Sequence, residues 1–356
     1  MAVPRRVGVD ATPLLGARTG VGRYTLSLLT ALTAYDDDLV ATAFTLRGRG
    51  QLDGVVPAGV QVAARPAPAR ALQALWARAE WPPVELLAGR LDVFHATNFV
   101  LPPLRRARGV VTIHDLSYLH HADTVSSASE RYRAMVPRSL ARAGAVVTPS
   151  HVTADLVKNA YGTGVPVVVT PLGVDPEWAL ATPPDDALRR TLGLPSSYVV
   201  FVGSLEPRKD LRTLLAAHAL VPGAPPLVLV GPPGWGEQVD VSGCITPGYL
   251  EDERLRSVVA GAAALVVPSR DEGFGLPVLE GLAAGVSVVA SDLPVLREVG
   301  GDAVSYAAVG EPESFAAALT AALDARAAPG GRARAAGFTW QRCAELTRSA
   351  YTLALT

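Results

Sequence analysis

Short Val-rich runs alternate with longer Ala/Leu-rich stretches of helical period, and the series runs through twice. Strands that alternate with helices are the signature of a parallel sheet, which must be covered by helices on both faces. In the first series the expected strands are Val7–Val9, Leu39–Thr45, Val93–His95, Val110–Ile113, Ala145–Thr148 and Val167–Thr170. The turn-rich stretch Pro171-Leu172-Gly173-Val174-Asp175-Pro176 interrupts it. The pattern then restarts with Tyr198–Val202, Leu227–Val230, Ala264–Val267 and Val286–Ala290, with helices expected over 211–220, 252–262 and 277–285. A chain of 356 residues exceeds the size of one hydrophobic core. The expectation is therefore two doubly wound α/β domains, 1–174 and 175–336, followed by a terminal helix in 337–356. Such sheets bind ligands beyond the carboxyl ends of their strands, so the loops that follow strands are where chemistry is sought.

Composition removes several classes of function. The net charge of −1 gives no basic footprint for nucleic acid. Residues 1–178 carry 18 Lys+Arg against 14 Asp+Glu, a small excess that suits an anionic partner or a membrane face without requiring either. Cys244 and Cys343 are far apart and outside any Cys-x-x-Cys pair, which argues against a disulfide scaffold and a thiolate metal site. The N-terminus lacks the apolar core of a signal peptide, and no run approaches the ~20 apolar residues of a membrane span. A cytoplasmic protein is expected, with peripheral association at the inner membrane face compatible with it.

Two motifs follow strands of the second series. Asp271-Glu272-Gly273-Phe274-Gly275-Leu276-Pro277-Val278-Leu279-Glu280 sets two carboxylates eight residues apart around a glycine-broken turn that opens an apolar helix. Pro277 suits an early helical position, and Gly273 and Gly275 let backbone amides approach an anion at the helix start. Gly203-Ser204-Leu205-Glu206-Pro207-Arg208-Lys209-Asp210 carries an Arg-Lys pair, in a chain whose only lysines are Lys158 and Lys209. A planar fork beside a point charge suits a diphosphate, and carboxylates on either side suit hydroxyls. A sugar-nucleotide combines those groups.

The Glu272/Glu280 spacing resembles the Glu-x7-Glu motif of the retaining glycosyltransferases of family 4, which have the GT-B fold of two Rossmann-like domains facing each other across a cleft. Other stretches fit in order. Thr19-Gly20-Val21-Gly22-Arg23-Tyr24 precedes a helix expected over Thr25–Ala34 and resembles the loop that touches the donor diphosphate. It lacks the third glycine of a dinucleotide fingerprint, which disfavours a dehydrogenase. Ile113-His114-Asp115-Leu116-Ser117-Tyr118-Leu119 resembles the bacterial mannosyltransferase-like branch, where the matching histidine lies beside the transferred sugar. Ser150 starts a helix, and Phe338-Thr339-Trp340 resembles the family's crossing terminal helix.

The resemblance implies roles for these positions. Arg208, Lys209, Gly20, Gly22 and the amides of Gly273, Phe274, Gly275 and Leu276 would face the diphosphate, with Gly203 turning the chain toward it. Glu272 would hold hydroxyls of the transferred hexose, Glu280 the ribose, and the backbone at Gly248-Tyr249-Leu250 the base. His114 would contact the sugar or its developing charge. His95, Asn98 and Asp115 are expected on the acceptor side, with weaker claims for His120 and His121. No metal is expected: Asp36-Asp37-Asp38 contains an Asp-x-Asp pattern but is read as a solvated turn. Arg65 to Trp81 reads as a surface helix with a tryptophan turned inward, or as an amphipathic face for lipid. The expected activity is retaining transfer of a hexose, mannose from GDP-mannose favoured, to an acceptor hydroxyl. A sugar-nucleotide epimerase of the same fold, which would consume no acceptor, and a noncatalytic sugar-nucleotide-binding protein are the alternatives.

Overall fold

The computed structural model describes residues 5–16, 20–46, 48–63, 65–120, 127–162, 164–235, 239–325 and 330–356. They form two compact units. Unit 1 gathers the described residues of Met1–His120, Ser127–Gly173 and Thr339–Thr356, and unit 2 those of Val174–Phe338.

Unit 1 is built on seven strands: β1 (Arg6–Asp10), β2 (Asp38–Thr42), β3 (Gln61–Val62), β4 (Val93–Ala96), β5 (Arg108–Thr112), β6 (Ala143–Thr148) and β7 (Val167–Val169). All neighbours pair in parallel, in the order β3-β2-β1-β4-β5-β6-β7. Consecutive residues such as Val110 and Val111, or Val146 and Val147, are fully buried, because helices cover both faces and no strand side is left for polar alternation. Helix Trp340–Leu355, capped by Thr339 Oγ1 on the Arg342 amide at 3.1 Å, packs on β5, β6, β7 and helix Gly20–Leu32. A Cβ on Gly173 would stand 2.3 Å from the Trp340 nitrogen, so only glycine permits that approach.

Unit 2 has six strands: β8 (Val199–Val202), β9 (Leu227–Val230), β10 (Ile245–Gly248), β11 (Ala264–Val267), β12 (Val288–Ser291) and β13 (Ser305–Ala307), all parallel, in the order β10-β9-β8-β11-β12-β13. Alternate residues Val199 and Phe201, Leu227 and Leu229, Ala264 and Val266 form one face. Against it pack Leu211 and Leu214 of helix Leu211–Ala219 and Phe315 and Leu319 of helix Pro312–Ala325.

The structure departs from the sequence reading at the edges. β3, β10 and β13 are additional strands; each is two to four residues long, and β10 contains Pro247 and Gly248, which only an edge tolerates. The first helix begins at Gly20 rather than Thr25. Its early turn is held because Tyr24 is fully buried, with its hydroxyl 2.9 Å from Thr112 Oγ1. Thr19 and His121 lie outside the described residues, as does the His120 side chain. Asp37 is not solvated: its carboxylate takes Arg5 at 3.0 Å and Arg348 at 2.7 Å, and those cations hold its pKa down against the effect of burial. In the Arg65–Trp81 stretch, Trp76 packs inward while Trp81 is exposed.

Candidate active site

In each sheet the chain winds outward from one strand and then returns to that strand's other side, which opens a crevice at the carboxyl ends of the two central strands. In unit 2 these are β8 and β11. The loop after β8 carries Arg208 and Lys209, and the loop after β11 carries Ser269 and Glu272. Lys209 Nζ donates to Glu272 Oε1 at 2.5 Å, Ser269 Oγ donates to the same oxygen at 2.7 Å, and Arg208 Nη1 stands 3.5 Å from Glu272 Oε2. The Glu272 side chain is only 8% exposed. Burial alone would raise its pKa, but the charges of Lys209 and Arg208 outweigh burial and keep it below the ordinary value.

The two cations are not equivalent. Arg208 turns Nε and Nη2 to Glu206 Oε1, at 3.2 and 2.9 Å, and donates from Nη1 to the Asp271 carbonyl at 2.9 Å. It therefore braces two loops. Lys209 meets one acceptor among the described residues, Glu272, and an ammonium has three donors. Capacity for an anion rests mainly with Lys209.

Gly275 caps helix Leu276–Ala284 in the left-handed region at φ 100°, and a Cβ there would also meet Leu296 Cδ2 at 2.4 Å. Among the described residues, the Gly275 and Leu276 amides make no hydrogen bond, as the first turn of a helix leaves them. Phe274 is buried edge-on against Phe338, at a centroid distance of 5.9 Å. Glu280 is buried one turn further along the helix. Gly203 follows β8 and donates its amide to the Val230 carbonyl at 2.9 Å, and Tyr249 stands exposed just beyond β10.

In unit 1 the crevice lies at the ends of β1 and β4, with β5 alongside. His114 follows β5, and its Nε2 donates to the Thr97 carbonyl at 2.8 Å. That bond leaves Nδ1 as the lone-pair nitrogen of a neutral ring. Burial pushes the His114 pKa down, against the Thr97 carbonyl and Asp115, which pull it up. Tyr24 meets the ring edge-on at 5.0 Å. Gly20 and Gly22 lie in the first turn of helix Gly20–Leu32.

His95, expected on the acceptor side, is instead a core residue. It is fully buried, with Nδ1 2.8 Å from the Tyr351 hydroxyl and Nε2 2.7 Å from Thr112 Oγ1, and burial pushes its pKa to about 3. Both nitrogens are spent, Nδ1 in holding the terminal helix to the sheet and Nε2 in tying β4 to β5. Asp115 uses Oδ1 to accept from the Ser117 amide and hydroxyl, at 3.1 and 2.8 Å. Asn98 lies beside Tyr132, and its Oδ1 is buried without a hydrogen-bond partner.

Three contributors lie outside the sequence reading. Ser269 orients Glu272. Asp210, at φ 48°, accepts from the hydroxyl of Thr213 at 2.8 Å and pairs with Arg270 at 2.9 Å, fixing where the Arg-Lys loop ends. An aspartate immediately before an apolar-periodic run, here Asp210-Leu211, signals that cap in the sequence. Asp10, the last residue of β1, is 7% exposed, and burial raises its pKa to about 6, against the lowering effect of Thr12. Among the described residues no three His, Cys, Asp or Glu side chains cluster as metal ligands, and no helix is long and apolar enough to cross a membrane.

Two family models match the chain: "Glycosyltransferase Family 4" over residues 18–178 and "Glycosyl transferases group 1" over residues 196–325. The O-antigen chain mannosyltransferase B of Escherichia coli is 31% identical over 283 residues, covering 73% of this chain and 74% of that one. The D-inositol 3-phosphate glycosyltransferase of Geodermatophilus obscurus is 33% identical over 221 residues, and the chain spans about half of its length, 49%. Among solved structures, a sucrose-phosphate synthase from Thermosynechococcus elongatus superposes with a TM-score of 0.75 at 19% identity, over 98% of each chain.

Proposed function

The chain belongs to glycosyltransferase family 4, with the two Rossmann-like units of the GT-B fold, and from that premise we propose that it moves a hexose from a nucleoside-diphosphate sugar to an acceptor hydroxyl, with retention at the anomeric carbon. Mannose from GDP-mannose is the first candidate donor, supported by the His114-Asp115 motif and the Escherichia coli mannosyltransferase relative. The observation that carries the reading is the Lys209–Glu272 pair at the crevice of unit 2, a cation with unspent donors beside a carboxylate kept ionised.

In this reading Lys209, with the amides of Gly275 and Leu276, receives the diphosphate and stabilises it as it leaves. Those groups supply the charge that a metal gives elsewhere, so transfer is metal-independent. Glu272 holds hydroxyls of the hexose, Glu280 the ribose and the backbone at Tyr249 the base. Arg208 keeps the two loops in register. His114 offers Nδ1 to a substrate hydroxyl. The departing phosphate takes the proton of the attacking hydroxyl on the same face of the sugar. Exposed Leu75 and Trp81 in unit 1 suit a lipid-linked acceptor at a membrane face.

The test is product analysis after incubation with GDP-, UDP- and dTDP-hexoses and a glycoside acceptor. An α-linked product with free nucleoside diphosphate from an α-linked donor supports the proposal. An altered sugar still attached to its nucleotide would identify an epimerase, and binding without turnover a noncatalytic protein.

A further inference from the structure

The crevice rule that selects Lys209 and Glu272 in unit 2 selects the ends of β1 and β4 in unit 1. β1 ends on Asp10 and β4 leads into Thr97 and Asn98. Two hydrogen bonds tie these loops to His114: Thr97 Oγ1 donates to the Asp10 carbonyl at 2.7 Å, and His114 Nε2 donates to the Thr97 carbonyl at 2.8 Å. Three hydrogen-bond-accepting atoms result on one sheet edge. Asp10 Oδ1 takes the Thr12 amide at 2.9 Å, the Thr12 side chain also bonds the carboxylate, and no described cation pairs with it. Asn98 Oδ1 is buried without a donor. His114 Nδ1 carries a lone pair and meets no described donor. The hydroxyls of Tyr24, Thr97 and Thr112 that surround them are already bonded within the protein.

A carboxylate taken out of water at a strand end, with no described cation beside it, costs stability unless something else needs it there. An edge with these acceptors, bordered by the Tyr132 phenol beside Asn98, recognises a ligand rich in hydroxyls, which both donate and accept. It also repels phosphate or carboxylate, since Asp10 and Asp115, both acting on Tyr132, have the same sign. We propose that Asp10 is a specificity-determining residue for the glycosyl acceptor, and that together with Asn98 Oδ1 and His114 Nδ1 it receives the hydroxyls of an uncharged sugar ring. This rests on the glycosyltransferase reading and adds the class of acceptor to it: a neutral hexoside end, not a phosphorylated one.

The experiment uses the full chain with the donor it cleaves, and octyl α-D-mannopyranoside and octyl β-D-glucopyranoside as acceptor probes, against mannose 6-phosphate. Wild-type protein should use at least one neutral glycoside in preference to the phosphorylated sugar. Asp10→Asn should raise KM for that glycoside about 10- to 100-fold, the range for losing a hydrogen bond to a charged group. Calorimetric affinity for the nucleoside diphosphate should stay within about twofold and the thermal transition of unit 1 should persist, which together a misfolded variant would not achieve. Unchanged KM in Asp10→Asn, preference for the phosphate, or failure of both neutral glycosides would overturn the assignment. If the wild type cleaves no sugar-nucleotide at all, the glycosyltransferase reading itself fails.

Discussion

Replacing Asp10 by Asn should stabilise the protein at neutral pH and leave it unchanged in acid. Burial raises the folded-state pKa of Asp10 from 3.8 to about 6. The folded state therefore binds this proton more tightly than the unfolded chain, and the ionised carboxylate is a cost to folding. That cost is absent below the unfolded pKa of 3.8, grows as pH rises to about 6, and is complete above it. At about 1.36 kcal/mol per unit, a shift of roughly two units amounts to about 3 kcal/mol, an upper bound for the gain. Asn has the shape of Asp and still offers Oδ1 to the Thr12 amide. For a unit of this size the gain corresponds to a rise of about 6–12 °C in the unit 1 transition. The assay is thermal unfolding of both proteins from pH 4 to 8. A difference in Tm that does not change with pH, or destabilisation at pH 7.5, would refute the reasoning. A gain in stability together with a loss of glycoside affinity is the signature of a residue kept for binding.

Three further outcomes follow from the site. Lys209→Met leaves Glu272 buried with only Arg208 nearby, so it should cost about 3 kcal/mol in denaturant unfolding, and Lys209→Met/Glu272→Gln should recover part of that loss; strictly additive single effects would contradict a coupled pair. Excess EDTA should leave transfer intact, whereas loss reversed by Mg²⁺ or Mn²⁺ would assign the diphosphate to a metal. Glu280→Ala should weaken nucleoside diphosphate binding and raise KM, while Glu272→Ala should lower kcat with product affinity near wild type; the opposite pattern would exchange their roles.

The central strands were legible because burial on both faces forces unbroken apolar runs such as Val146-Val147. β3, β10 and β13 were not, since an edge strand needs only a few backbone bonds and leaves no apolar run to read. The loop motifs of unit 2 were legible because glycine, proline and charge coincide at strand ends. Their pairing was not: the sequence puts Lys209 on a diphosphate and Glu272 on a sugar, and only the fold brings them to 2.5 Å. His95 looked functional because it ends a strand, but its side chain points into the core, where Tyr351 from the far end of the chain meets it. Asp10 shares that strand-end position. It gained significance only once strand order placed it at a crevice and its surroundings proved to lack a described cation.

The most direct test is the rate of nucleoside diphosphate release from GDP-, UDP- and dTDP-hexoses, with a neutral glycoside present, by the wild type and by Lys209→Met held below its melting temperature. The account predicts acceptor-dependent release from at least one donor, GDP-mannose first, and a fall of about 10²-fold or more in the variant, the equivalent of roughly 3 kcal/mol of leaving-group stabilisation. Release by Lys209→Met at the wild-type rate, or no release from any of the donors, would contradict it.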